Sequence, residues 1–180
     1  MTHFKYVLIS AFFLLLNACS VAAIRPYDPY FKNTNQLQTM KEGFSAVSVT
    51  GANAEAISQL RNSSVQCRLT TFNMPAKKSV AAYVQDAMMA ELEAAKKLSP
   101  SAKPLAIQVN KLDSSTASMN TGHWNVDFTY VLKGESKHIA TKTDFESAYV
   151  AETACRNTAE ALQQALRENF GKYFSEMGHK

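Results

Sequence analysis

The chain has 180 residues, of which 46% are hydrophobic and 19% charged. That is one ordinary domain with material for one core, and it excludes a disordered or collagen-like chain. The net charge of +4 is scattered along the sequence, which excludes a nucleic-acid reading built on a basic tract.

Residues 1–17 read as a secretory signal. Lys5 supplies the charge, and residues 6–16 are an almost wholly apolar run of eleven. Such a run is too short to cross about 30 Å of hydrocarbon as a helix. A short membrane anchor or a buried helix is the alternative. Leu16-Asn17-Ala18-Cys19 resembles the bacterial lipobox, an aliphatic residue and two small residues before a cysteine, with Asn17 departing from the usual small residue. The resemblance implies that the Cys19 thiol receives a diacylglyceryl group, that cleavage exposes Cys19 as the N-terminus, and that its amine is then acylated. Two or three acyl chains hold a protein firmly on a membrane, where one does not. Ser20 stands where the inner-membrane retention signal of such lipoproteins has Asp. The resemblance therefore implies an outer-membrane address with the domain facing the periplasm. Removing residues 1–18 takes only Lys5 from the charge, leaving +3.

Residues 19–43 have weak periodicity, with Pro26 and Pro29 in extended contexts and a polar stretch from Asn33. They are expected to form a tether between lipid and domain. Tyr27, Tyr30 and Phe31, with Arg25 and Lys32, either touch headgroups or lie on the domain surface. A single periplasmic domain is expected over residues 44–175, with a frayed tail at 176–180.

Residues 44–50 form a strand candidate ending at Gly51, and residues 53–62 a short helical or irregular segment. Residues 65–72 alternate, with Val65, Cys67 and Leu69 on one face, as a half-buried strand should. Residues 79–98 predict a helix. Ser79 is its N-cap, Val80, Tyr83, Val84, Ala87, Met88, Leu92 and Ala95 its apolar stripe, and Ser99-Pro100 its stop. Three strands follow. Leu105, Ile107 and Val109 share a face before the alternation slips to Leu112, which predicts a bulge near Asn110–Lys111. Trp124, Val126, Phe128, Tyr130 and Leu132 make the clearest strand face, and residues 137–149 return from a turn at 133–136. A four-residue turn pairs Leu132 with Lys137, Trp124 with Phe145 and Asp127 with Lys142. The last helix, residues 152–174, buries Cys155, Thr158, Ala159, Leu162, Leu166, Phe170 and Tyr173. Gly171 there either weakens the helix or permits close packing.

The expected fold is α+β: a two-layer sandwich, with a mostly antiparallel sheet of about five strands and two long helices on one face. The alternation leaves the other face to solvent or a partner.

The odd count of 3 Cys resolves if Cys19 is taken by lipid. Cys67 and Cys155 then remain as a pair in an oxidising compartment and are expected to form a disulfide. The alternative is two buried thiols. With no Cys-x-x-Cys a redox site is disfavoured. His123 and His138 lack metal-ligand spacing, so neither a metal nor a cofactor is expected. Asp144 and Glu146 share a strand face with His138 and Lys142, which reads as a solvated outer face rather than an acid–base pair. Trp124 is either a binding anchor or, from its place on an apolar stripe, core. No nucleophile elbow, P-loop or dinucleotide turn occurs, and no enzyme is expected.

The whole organisation resembles small proteobacterial outer-membrane lipoproteins, nearest to the YajG-type family. The likeness runs through the lipobox, residues 47–52, the 79–98 helix, the 105–132 strand pair and the closing helix. The layout is also similar to the LPS-assembly lipoprotein. The expected role is a non-enzymatic binding or assembly accessory, anchored by lipid, whose partner is an envelope protein or a lipid or glycan. The alternative is a lipid- or glycan-binding auxiliary lipoprotein of an envelope transport system.

Overall fold

A computed structural model describes residues 22–116 and 120–178. In chain order these form β1 (Ala22–Ala23), α1 (Phe31–Thr39), β2 (Phe44–Gly51), α2 (Ala54–Arg61), β3 (Ser64–Cys67), β4 (Thr70–Asn73), α3 (Val80–Ala94), β5 (Lys103–Ser115), β6 (Thr121–Leu132), β7 (Glu135–Glu146) and α4 (Ala151–Gly178). The expected signal peptide and Cys19 lie outside the described residues.

The fold is α+β, as expected, but its strands form two sheets rather than one of five. The larger has the order β2-β5-β6-β7, with β2 parallel to β5 and the others antiparallel. The smaller has the order β1-β4-β3. Its existence corrects the single strand expected over residues 65–72. Arg68 adopts a positive φ of 51° and turns the chain, so Cys67 pairs with Thr70 in a tight hairpin. Leu69, expected on the buried face, is the exposed tip.

Two helices cover one face of the larger sheet. Helix α3 packs on β2, and α4 on β6 and β7. Ser79 caps α3, its side chain accepting from the Ala82 N–H. The apolar stripes are buried as the periodicity requires: Val84, Ala87, Met88 and Leu92 on α3, and Leu162, Leu166 and Phe170 on α4. They meet Ile107, Val126, Phe128 and Tyr130 from the sheet in one continuous core. Each such side chain removed from water contributes about 1.5–3 kcal/mol before entropy is counted.

The bulge falls between Val109 and Lys111, as predicted. The β6–β7 register is shifted by two residues from expectation. Leu132 pairs with Glu135, Tyr130 with Lys137, Phe128 with Ile139 and Trp124 with Thr143. The turn is two residues, Lys133 and Gly134, with φ of 56° and 82°. Positive φ at both central positions matches the twist of the flanking strands and makes the shorter turn the favoured one. A shift of two keeps every side chain on its predicted face. Asp127 now stands opposite Ala140 rather than Lys142.

The tether expected over residues 19–43 is corrected from Ala22 onward. Ile24, Leu37 and Met40 are buried, and α1 packs between α4 and α3. The polar composition of α1 concealed this because only Leu37 and Asn33 face inward. At the other end α4 continues to Gly178, into the stretch expected to fray.

Candidate functional site

The pairing of β2 with β5 ends at Gly51 and Val109, although β5 runs on to Ser115. Beyond the bulge, β5 has β6 on one side and, among the described residues, no strand on the other. Among the described residues strand β3 likewise pairs only with β4. These two open edges line a groove of about 270 Å³, with Ser64, Val65 and Gln66 from β3 and Leu112, Asp113 and Ser114 from β5. The buried Leu60, Val80, Trp124 and Leu162 form its floor, and the exposed Asn62 stands at its rim.

One end of the groove is closed by Arg68, whose Nη2 donates to the Thr116 carbonyl at 3.3 Å. Arg68 follows β3 and Thr116 follows β5, so the C-terminal ends of the two strands lie near one another. A side chain spans the gap there, where a direct sheet would have a backbone ladder. A strand edge carries alternating unpaired N–H and C=O groups, the natural partner of an extended peptide. An occupant between two such edges could bond on both sides at once.

Cys67 and Cys155 form a disulfide, with Cα atoms 5.2 Å apart and 88 residues of separation. It joins the end of β3 to the beginning of α4 and so holds one wall of the groove against the core. Trp124 is buried, its Nε1–H donating to the Thr158 carbonyl at 2.9 Å. The ring is core, as its stripe implied, and it also borders the groove floor.

The residues weighed for acid–base or metal chemistry stay apart from the groove. His138, Lys142, Asp144 and Glu146 are exposed on β7. His138 Nε2 lies 2.7 Å from Asp127 Oδ1, and Lys142 reaches Asp144 at 3.6 Å. Among the described residues no group of three His, Cys, Asp or Glu side chains could hold a metal.

Perturbed groups lie elsewhere, inside the molecule. Burial pushes Glu91 above the ordinary carboxyl range, partly offset by hydrogen bonds from Tyr27, Asn33 and the Tyr30 N–H and by the nearby Arg167 charge. Burial also raises Tyr27, Tyr83, Tyr130 and Tyr173. Glu91 is 0% exposed, so it clamps rather than meets a ligand. Sequence reasoning passed over it, although it follows Met88 by three residues on the α3 stripe, where a charge requires partners. The groove residues carried no local signal, because an open edge is a property of pairing.

No family model matches the chain, and neither does any curated protein. Among solved structures, protein XCC0632 of Xanthomonas campestris, of the family model DUF330, has a TM-score of 0.52 and 13% identity over 87% of this chain and 95% of its own. This chain shares that fold. At such low identity the likeness to XCC0632 is one of architecture alone. An uncharacterised protein matches at TM-score 0.47 and 6% identity, covering 89% of this chain and 98% of its own. A candidate lipoprotein of Caulobacter crescentus matches at TM-score 0.38 and 11% identity, covering 82% and 93%. No described helix is long and apolar enough to cross a membrane.

Proposed function

We propose that the protein is a non-enzymatic lipoprotein of the outer membrane, anchored through Cys19 and facing the periplasm. Its domain holds an extended segment of an envelope protein in the groove between β3 and β5. The observation that carries this reading is the pair of open strand edges on either side of a groove with an apolar floor. Net gain per backbone hydrogen bond is about 1 kcal/mol, so a segment of three or four residues bonded on both sides binds modestly. Confinement near one leaflet by the anchor raises effective concentration and compensates. The anchor and any YajG-type kinship rest on the lipobox and the sequence pattern. The lipid- or glycan-binding alternative calls for an apolar cavity between helices and sheet. That space is occupied by Phe128, Tyr130, Leu166 and Phe170, which favours the protein partner.

Two measurements test the proposal. Intact mass of protein from native membranes should show Cys19 as an acylated N-terminus; an unmodified thiol would remove the anchor. Photo-crosslinkers placed at Gln66 and at Asp113 in cells should map to the same short segment of one envelope protein. Crosslinks that share no segment would remove the strand-addition site.

A further inference from the structure

We infer that the end of the molecule formed by the β3–β4 turn and the β7–α4 connection sits on the membrane, with Leu69, Tyr149 and Val150 in the lipid interface. The inference rests on the lipidated Cys19 proposed above, and adds to it a fixed orientation of the domain. Leu69 is 94% exposed, Tyr149 78% and Val150 60%. They come from segments far apart in sequence that Arg68 joins, its Nη1 donating to the Tyr149 carbonyl at 3.2 Å. An exposed apolar group of this kind marks a contact surface, and an aromatic beside aliphatic residues suits the headgroup boundary.

The direction of the chain identifies what covers it. Strand β1 is parallel to β4, with Ala22 beside Phe72 and Ala23 beside Asn73. Ala22 is therefore the residue of β1 nearer the end of β4 that carries Thr70 and Leu69. Cys19 is three residues upstream of Ala22, a reach of at most about 11 Å. Leu69 is three residues before Phe72, about 10 Å along the strand. The proposed acyl chains are thus joined to Ala22 by a very short link. Helix α4 also starts here, at Ala151, and leads away from it.

The other exposed aromatics are elsewhere. Phe31 is 77% exposed but opens α1, beyond Asp28, whose carbonyl accepts from Arg167. Arg167 is sixteen residues along α4 from Ala151, about 24 Å at 1.5 Å per residue. Phe31 is therefore far from the leaflet in this orientation, and of the two places considered for it, headgroup or domain surface, the surface is favoured. Glu146 and Glu152 flank the apolar group, so contact is through apolar and aromatic side chains rather than charge.

The test uses the acylated full chain in phosphatidylethanolamine–phosphatidylglycerol vesicles with brominated acyl chains, which quench tryptophan only at short range. Leu69→Trp should lose at least half of its added emission. Ser136→Trp, exposed near the opposite hairpin about 30 Å along β7, should lose almost none. Native Trp124 is buried and supplies the unquenched baseline. If intact mass shows acylated Cys19 yet Leu69→Trp is quenched no more than Ser136→Trp, the orientation is wrong while the anchor stands. Blue-shifted but unquenched emission from Leu69→Trp would mean that protein, a second copy of the chain or its own folded surface, covers the patch, and would also overturn the inference. Unmodified Cys19 removes anchor and orientation together.

Discussion

Tyr27 donates its hydroxyl to the Glu91 carboxylate at 2.6 Å, joining the N-terminal segment to the middle of α3. The Tyr30 N–H and the Asn33 side-chain amide donate to the same carboxylate, at 3.2 and 3.1 Å. Arg167 on α4 lies 5.7 Å from the Tyr27 ring centre and 5.8 Å from that of Tyr30, near enough for a cation–π contribution. A charge taken from water needs such partners. The result is a clamp that ties the segment following β1 to α3 and α4.

Glu91 gives the clamp a pH dependence of definite sign. Burial raises its carboxyl above the ordinary 4.5, so the folded chain binds this proton more tightly than the unfolded chain. Its contribution to stability is full below the unfolded value and is lost as pH rises through the folded one. The native protein minus the Glu91→Gln variant, compared by urea denaturation, should lose stability as pH rises from about 4.5 and then level off. A difference that grows with pH would reverse the sign. Glu91→Ala should cost about 1–3 kcal/mol, because the Tyr27 hydroxyl and Asn33 amide lose a buried acceptor.

The disulfide has separate consequences for stability and for the groove. Closing a loop of 88 residues is worth about 4–5 kcal/mol in the chain-entropy model. Cys67→Ala and Cys155→Ala should each lower unfolding free energy by about 2–5 kcal/mol, and the double variant should cost little more than either. Amide exchange in β3 should speed up more than in β6, since β3 owes its position to that bond. Equal loss of protection in both strands would mean the bond does not fix the groove wall.

What could be read from the sequence was what a period reveals. The stripes of α3 and α4, the Ser79 cap and the bulge after Val109 all follow from spacing. The small sheet did not, because its turn uses Arg68 at positive φ where a glycine or asparagine would have announced it. The same alternation therefore read as one strand. Helix α1 was hidden for a different reason: Asn33 is one of its two buried residues, held by Glu91 and the Arg167 carbonyl.

The β6–β7 turn supplies a direct test of register. Gly134 has a φ of 82°, so Gly134→Ala should destabilise by about 1–2 kcal/mol through backbone strain. Lys133, at 56°, occupies a position asparagine favours, and Lys133→Asn should stabilise by a few tenths of a kcal/mol, on the order expected for a better turn residue. Thermal midpoints should move in opposite directions. If Gly134→Ala is neutral, the two-residue turn and the register it sets are wrong.

The groove was less legible than the fold because its chemistry is backbone chemistry. Cys67 and Cys155 were readable from parity and compartment, and they fix one wall. The open stretch of β5 exists only because β2 stops pairing at Gly51. A Cβ there would come within 2.5 Å of the Ile57 backbone nitrogen, so the glycine lets α2 close over the strand end. From sequence that glycine marked only the end of a strand.

Gly171 separates the two roles considered for it in α4. Alanine is the better helix former by about 1 kcal/mol, so a weakened helix would gain from Gly171→Ala. The structure instead places Asn33 Oδ1 2.6 Å from where the added Cβ would stand. Asn33 cannot withdraw freely, because its amide nitrogen donates to Glu91 at 3.1 Å and to the Arg167 carbonyl at 3.0 Å. The clash should outweigh the propensity gain, with a net loss of about 1–3 kcal/mol. Gly178→Ala, at the end of the same helix with open space around it, is the control and should be neutral or slightly stabilising. Chemical denaturation of both variants decides the matter: a stabilised Gly171→Ala would mean that α1 does not press on α4 at this point.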